Sequence, residues 1–365
     1  MGKVKLTDIC SPKQWKTIPT EQLTEDGYPV YGANGIIGKY PEYNHDAPVI
    51  AITCRGATCG NINVTQEKAY VTGNAMCLDN LCADVDLEYL FYALRHYDFS
   101  TVISGSAQPQ ITRQGLGKVS IHLVDFEQQK FIAKTLTKTE RIISHRRDQI
   151  AKLDELVKCR FVELFGDPVL NEKGWTCSQL GDVANVIGGY AFSSKQFATA
   201  GIPVLRIGNI NTGTFRKENM VFWSEDEKLT KYLIYPGDIV ISLTGTAGKE
   251  DYGNVCVMSD DYPKYYLNQR NAVIRPTSCL LPSFLSYYMK SPVIKRKMTG
   301  IERGIRQGNI SNSDITSLRI PMPPIYLQEN FTHMVHRIDK LRFVIQKSLD
   351  ETQTLFNSLM QQYFD

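Results

Sequence analysis

An α+β fold built twice over is what this sequence predicts: two β-rich domains, each followed by one long helix, in an internal pseudo-two-fold repeat. Three observations predict it. The back of each half matches the other at one constant shift. The fronts carry short apolar runs broken by Gly, Pro and Asn. The segment from Phe126 to Phe165 holds neither proline nor glycine and keeps a heptad seam whose register returns in the second half.

The repeat comes first because it organises everything else. GSAQPQI at 105–111 returns as GIRQGNI at 304–310, so that Gly105 and Gly304 are separated by a shift of 199 residues. The same shift carries Ile121 onto Ile320, Leu123 onto Met322, Leu136 onto Val335, Leu156 onto Leu355 and Phe165 onto Phe364. Upstream the match needs gaps but keeps its order. GYPV at 27–30 answers GIPV at 201–204, VIAI at 49–52 answers IVIS at 239–242, and Asn74-Ala75 answers Asn271-Ala272.

The fronts occupy 1–125 and 167–322. Runs such as PVIAITC, GDIVISLT and NAVIRP read as short strands between turns, with helical patches at 87–97 and 283–290. Each front is therefore an α+β domain. The backs, 126–166 and 323–365, are the long helices. One heptad register places Leu136, Ile143, Ile150, Val157 and Leu164 on a single seam, and GDP at 166–168 stops that helix. Shifted, the register gives Val335, Arg342, Leu349, Phe356 and Tyr363, with Phe331, Ile338, Ile345 and Leu359 at companion positions. Only Arg342 breaks the stripe.

A helix of roughly 40 residues is about 60 Å long, and a narrow apolar stripe of that length needs another long helix to cover it. The matching helix in the same chain is the natural partner. Tandem repeats related by a pseudo-two-fold pack such helices as an antiparallel coiled coil with a domain at either end; an intermolecular coiled coil is the competing arrangement.

Composition excludes several classes. With 42% hydrophobic and 22% charged residues the chain reads as an ordinary globular protein rather than a disordered or fibrous one. No apolar run approaches the ~20 residues of a membrane span, and the start, MGKVKLTDIC, lacks a signal-peptide core. A cytoplasmic protein is expected. Nine scattered cysteines read as free thiols. The pairs Cys54/Cys59 and Cys77/Cys82 have the wrong spacing for a zinc knuckle, and no metal is expected. A net charge of +3 does not by itself announce a nucleic-acid partner, so distribution must carry that case. Basic residues do cluster, at Lys295, Arg296, Lys297, Arg303 and Arg306 and at Arg141, His145, Arg146 and Arg147.

Fragments that look catalytic fail on spacing. GANGIIGK at 32–39 and SLTGTAGK at 242–249 do not keep the intervals of a phosphate loop, and MPPIY at 322–326 lacks the polar residue of an amino-methyltransferase loop. No glycine-rich strand-to-helix turn suggests a bound nucleotide, and the six histidines form no metalloprotease pattern. No catalytic residue is assigned.

What remains is a set of glycine-rich, polar, basic loops after strands. From them the candidate DNA-contacting residues are Asn34, Lys39, Arg55, Thr58 and Gln108 in the first half. In the second they are Arg206, Asn209, Thr244, Thr246, Lys249, Arg303, Arg306 and Gln307. Such loops let backbone amides approach phosphates, and Arg, Lys, Asn and Gln read base edges. Glycines can also simply build turns, but equivalent loops in both halves favour binding.

At this point the pattern resembles a known family. YPVYGANGIIG at 28–38, RGATCGNI at 55–62, GYAF at 189–192, IPVLRIGN at 202–209, PGDIV at 236–240 and IPMPPIYLQ at 320–328 resemble motifs of the specificity subunits of Type I restriction-modification systems. The resemblance spans essentially the whole chain. IHLVD at 121–125 departs from it, lacking the prolines of the second copy. It implies two target-recognition domains that each read half of a split double-stranded DNA target, in a subunit without catalysis of its own. It also implies two methyltransferase subunits and motor/nuclease subunits as partners, with S-adenosylmethionine, ATP and Mg2+ bound on those partners. Two other classes stay open on the residues alone: a self-contained methyltransferase or nuclease, and a coiled-coil scaffold that binds no DNA.

Overall fold

The first front folds as short strands separated by the turn residues its sequence places between them. In chain order these are β1 (Gly2–Lys5), α1 (Leu6–Ile9), β2 (Ser11–Gln14), β3 (Tyr28–Gly32), β4 (Gly35–Tyr40) and β5 (Ile50–Thr53). There follow β6 (Ile62–Val64), β7 (Tyr70–Val71), β8 (Ala75–Asp79), α2 (Leu87–His96), α3 (Arg113–Leu116), β9 (Ser120–Leu123) and the long helix α4 (Phe126–Phe165). The second half runs β10 (Cys177–Gln179), α5 (Leu180–Val183), β11 (Ala184–Gly188), β12 (Ile202–Leu205), β13 (Val221–Trp223), β14 (Leu233–Ile234) and β15 (Ile239–Ser242). It ends with β16 (Val255–Val257), β17 (Tyr265–Leu267), β18 (Asn271–Pro276), α6 (Pro282–Lys290), α7 (Pro292–Thr299), α8 (Asn312–Thr316), β19 (Arg319–Pro321) and α9 (Ile325–Phe364). The structure is a computed structural model and describes residues 2–105, 108–245, 251–299 and 308–365.

The chain divides into two units. The first comprises Met1–Gln149 and Ile345–Asp365, the second Ile150–Val344. Each long helix is thus shared: its two ends belong to different units. Within the first unit, β1 pairs with β9, one sheet has the order β2-β8-β5-β6, and another β4-β3-β7 with β3 and β7 parallel. Within the second, β10 pairs with β19, one sheet has the order β11-β18-β15-β16, and another β13-β12-β17-β14 with β12 and β17 parallel. The topology repeats strand for strand, apart from the added edge strand β14.

The repeat aligns one residue away from the sequence match at its central strand. Thr53 N–H donates to Asn61 O and Thr53 O accepts from Gly60 N–H, as Ser242 N–H does with Asn254 O and Ser242 O with Gly253 N–H. Thr53 therefore answers Ser242, and VIAI at 49–52 is displaced by one position from IVIS at 239–242. Apolar runs carry no side-chain marker of register. A slip of one flips every side chain to the other face, so the flanking loops decide it.

Both helices enter by satisfying their first turn. Asp125 Oδ1 accepts from Gln128 N–H at 2.9 Å, so the first entry is capped by an aspartate where the second uses Pro323 and Pro324. Four residues after Asp125 and Pro324 the two copies coincide. In the first unit Gln129 is buried; its Oε1 accepts from Asp86 N–H at 2.8 Å and its Nε2 donates to the Asp84 and Val124 carbonyls at 3.1 and 2.8 Å. In the second, Gln328 Oε1 accepts from Leu281 N–H at 2.8 Å, and its Nε2 donates to the Cys279 and Pro323 carbonyls at 3.2 and 2.8 Å. The shift of the repeat carries one glutamine onto the other. Each amide ties a long helix to the start of the shorter helix packed on it. Gln328→Ala strands a buried N–H and two carbonyls, and a cost of about 3 kcal/mol is expected in chemical unfolding. A loss below about 0.5 kcal/mol would show that water replaces the amide.

The seam closes each core. In the first unit Leu136, Ile143 and Phe356 are buried in one cluster with Ile50, Ile52, Tyr89, Leu90 and Leu94, and Leu349 and Leu359 pack against it. In the second, Val157, Val335 and Ile338 join Phe161, Phe165, Phe284 and Phe331, with Leu164 packed alongside. There the helix segments run antiparallel: Phe161 meets Phe331, and seven residues back along α4 Asp154 meets Arg342 further along α9. Arg342, the break in the stripe, is matched by that aspartate at 2.5 Å and by Asp339 one turn earlier. Ile150 and Ile345 are only half-buried. Leu156 and Leu355, though related by the repeat, are both exposed and lie off the seam.

Candidate nucleic-acid interface

Each unit builds the same ledge from two loops far apart in sequence. In the first, the loop leaving β5 lies against the segment before α3. Arg55 bridges to Gln110, Gly56 N–H donates to Pro109 O at 3.1 Å, and Ile111 N–H donates to Cys54 O at 3.0 Å. Gly105 turns that segment at φ +88°, where a Cβ would stand 2.5 Å from Gln108 O, so only glycine fits. In the second unit Thr244 bridges to Asn309, Gly245 N–H donates to Gly308 O at 3.2 Å, and Ile310 N–H donates to Leu243 O at 2.8 Å.

On the first ledge Arg55 and Gln108 are exposed and Thr58 is half-buried. Asn34 and Lys39 sit elsewhere, exposed on the β3–β4 hairpin, whose Ile36 and Ile37 are exposed as well. In the second unit a cleft of about 880 Å³ is lined by Arg206, Arg216, Asn211, Asn268, Gln269 and Arg270 among others. Thr244 lines a smaller cleft that shares Asn211 and Arg270 with it. The guanidinium of Arg206 donates to Asn219 O and lies over Phe197, with no partner for its Nε among the described residues.

Asn209 belongs to the frame rather than the surface. It is buried, its Oδ1 accepts from Arg206 N–H at 3.1 Å, and its Nδ2 donates to the Arg216 and Glu218 carbonyls at 3.0 and 3.1 Å. Both of its N–H donors are spent on backbone carbonyls, and burial keeps its oxygen from a base edge. The reading of Asn209 as a DNA contact is corrected accordingly: a loop asparagine also satisfies loop backbone, and only burial separates the two uses. Of the basic cluster on α7, Lys295 is held by Asn254 at 2.8 Å, while Arg296 and Lys297 are exposed. Thr246, Lys249, Arg303, Arg306 and Gln307 lie outside the described residues. Arg216, Gln269 and Arg270 line the same cleft but were not among the sequence candidates. The signal that could have found the last two is the polar triplet NQR immediately before β18.

Two units that repeat one ledge, each with segments of both long helices in its core, define a class of protein that presents two related surfaces. A family model described as Type I restriction modification DNA specificity domain matches residues 1–154 and again 172–352. The chain belongs to that family: it is the DNA specificity subunit of a Type I restriction-modification system, a non-catalytic subunit of a restriction enzyme complex.

It is 23% identical over 354 residues to the Type I restriction enzyme MjaVIII specificity subunit of Methanocaldococcus jannaschii, a match covering 90% of this chain and 82% of that one. Among solved structures, the S subunit of a Type I restriction-modification system from M. genitalium superposes with TM-score 0.72 at 16% identity, covering 100% of this chain and 96% of the other. A chain from a study of complex assembly and conformational transition of the type I R-M system superposes at 0.55 with 17% identity, covering 99% and 96%. The fold is shared with both. No helix among the described residues is long and apolar enough to cross a membrane.

Proposed function

We propose that each unit reads one half of a split double-stranded DNA target through its ledge, with residues 1–125 and 167–322 as the two recognition modules and the long helices as their common mount. The observation that carries this reading is the twofold occurrence of one loop pair, Arg55 against Gln110 and Thr244 against Asn309. On the first ledge Arg55 and Gln108 supply the exposed donors and acceptors, and the β3–β4 hairpin adds Asn34 and Lys39. On the second, Arg206, Arg216 and Arg270 line the larger cleft, and Thr244 lines the smaller one that shares Arg270. Positive side chains draw in the phosphates, and forked guanidinium and amide groups discriminate base edges. Methyltransferase subunits carrying S-adenosylmethionine, and motor/nuclease subunits using ATP and Mg2+, do the chemistry in the cytoplasm on DNA that this chain selects.

Arg55→Ala tests it. In cells carrying the intact system, methylation mapping is expected to show one position of one half-site relaxed, a loss of about 1–3 kcal/mol of discrimination, with the other half-site unchanged. Unaltered specificity together with a lowered melting temperature would make Arg55 a residue of the fold instead.

A further inference from the structure

The first unit holds a cluster that DNA reading does not use. His45, Cys77 and Asp79 bring a ring nitrogen, a thiol sulfur and a carboxylate oxygen within 4.8 Å of one another. We propose that these three residues bind a zinc ion that staples the β3–β4–β7 sheet to β8, and so fixes the hairpin carrying Asn34 and Lys39 relative to the Arg55 ledge.

The hydrogen bonds around His45 point to a cation. Asn44 is locked by the backbone of Val71: its Nδ2 donates to Val71 O at 3.0 Å and its Oδ1 accepts from Val71 N–H at 2.9 Å. That fixes the amide oxygen against His45 Nδ1, 2.6 Å away, so Nδ1 must carry the proton. A neutral imidazole has only one N–H, which leaves the Nε2 lone pair facing Asp79 Oδ1 at 3.0 Å. Two lone pairs in that position repel unless a second proton or a metal ion lies between them.

A metal ion supplies that charge in the usual manner of a ligating histidine, whose other nitrogen donates to an outer acceptor. The remaining parts fit. The Trp15 indole N–H holds Asp79 Oδ2 at 3.1 Å, orienting the carboxylate, and the Trp15 ring lies edge-on to His45. Cys77 is fully buried beside them. Zinc bonds of about 2.0–2.3 Å at tetrahedral angles put ligand atoms roughly 3.3–3.6 Å apart, so the three side chains, now within 4.8 Å of one another, need only small adjustments to close on an ion, and a sulfur, nitrogen and oxygen set suits zinc rather than calcium or magnesium. The side chains of His45 and Asp79 are 9% and 14% exposed, which leaves a path for the ion and a position for a water.

The second unit answers with different chemistry. Register places Val273 where Cys77 stands and Arg275 where Asp79 stands. There Arg275 donates to both carboxylate oxygens of Asp238, at 2.9 and 2.6 Å. One half of the repeat is pinned by a bidentate ion pair, the other by the cluster.

Metal content of the purified full-length chain, grown with added zinc and handled without chelators, is expected to be stoichiometric in zinc. The apo protein titrated with Co2+ should develop thiolate-to-cobalt absorption with tetrahedral d–d bands. Cys77→Ser should abolish the charge-transfer band, and His45→Gln should lower the zinc content. If Cys77→Ser does not fold, the wild-type cobalt spectrum and the fall in melting temperature on chelation decide on their own. Wild-type protein that holds no zinc, gives no thiolate–cobalt band and melts alike with and without chelator overturns the proposal and leaves His45 as an imidazolium paired with Asp79. None of these readouts depends on DNA, so the site fails or stands separately from the recognition reading.

Discussion

Replacing residues 1–125 with the equivalent region of a relative is expected to change one half of the methylated motif completely and leave the other as it was. The reason lies in how the first front is attached. Its core is completed by α4 residues Ile132, Ala133 and Leu136 and by Phe356 and Met360 of α9, apolar contacts that a related front of similar shape can reproduce. The polar lock transfers more readily still. Gln129 bonds only to backbone groups, those of Asp84, Asp86 and Val124, so the incoming front has to supply a chain path rather than particular side chains. Methylation mapping in cells expressing the hybrid with its partner subunits checks it. A hybrid that alters both halves would mean that the two fronts do not read independently.

The second large effect concerns the helix pair. Phe331→Ala is expected to cost about 3–5 kcal/mol in chemical unfolding of the full chain. Phe331 is fully buried, with ring centroids of Phe161 and Phe165 each 5.5 Å away and Tyr287 at 5.3 Å, so truncation opens a cavity between α9, α4 and α6. Leu355→Ala is the matched control. Leu355 is 52% exposed, and its truncation should stay within about 0.5 kcal/mol. A Phe331→Ala loss below 1 kcal/mol would show that the helix does not close this core.

Much of the architecture was legible because it is local or periodic. A heptad seam needs no knowledge of what lies elsewhere: Leu136, Val157, Val335 and Phe356 mark the buried stripe by spacing alone. The constant shift likewise brought Gln129 and Gln328 into equivalent places, yet their role stayed hidden, since glutamine early in a helix usually faces water. At Leu156 and Leu355 the repeat preserves leucines on an outer face.

The site was less legible. Arg55, Gln108, Arg206 and Thr244 could be singled out from residue type and glycine-rich context, but the same rule chose Asn209, whose amide is spent inside the fold, and passed over Arg270 and Gln269.

From the residues alone came the doubled plan, the two long helices and the family they resemble, since those follow from order along the chain: a repeat, a period and a run free of helix breakers. Tertiary structure alone decided what meets across the chain. It set the loop after β5 on the segment near Gln110, slid the strand match by one residue, and drew His45 to Cys77 and Asp79. The physical reason is that a backbone pairing or a cluster of ligands forms between groups that chain crossings bring together. No spacing along the sequence records which loops the sheets will hold side by side.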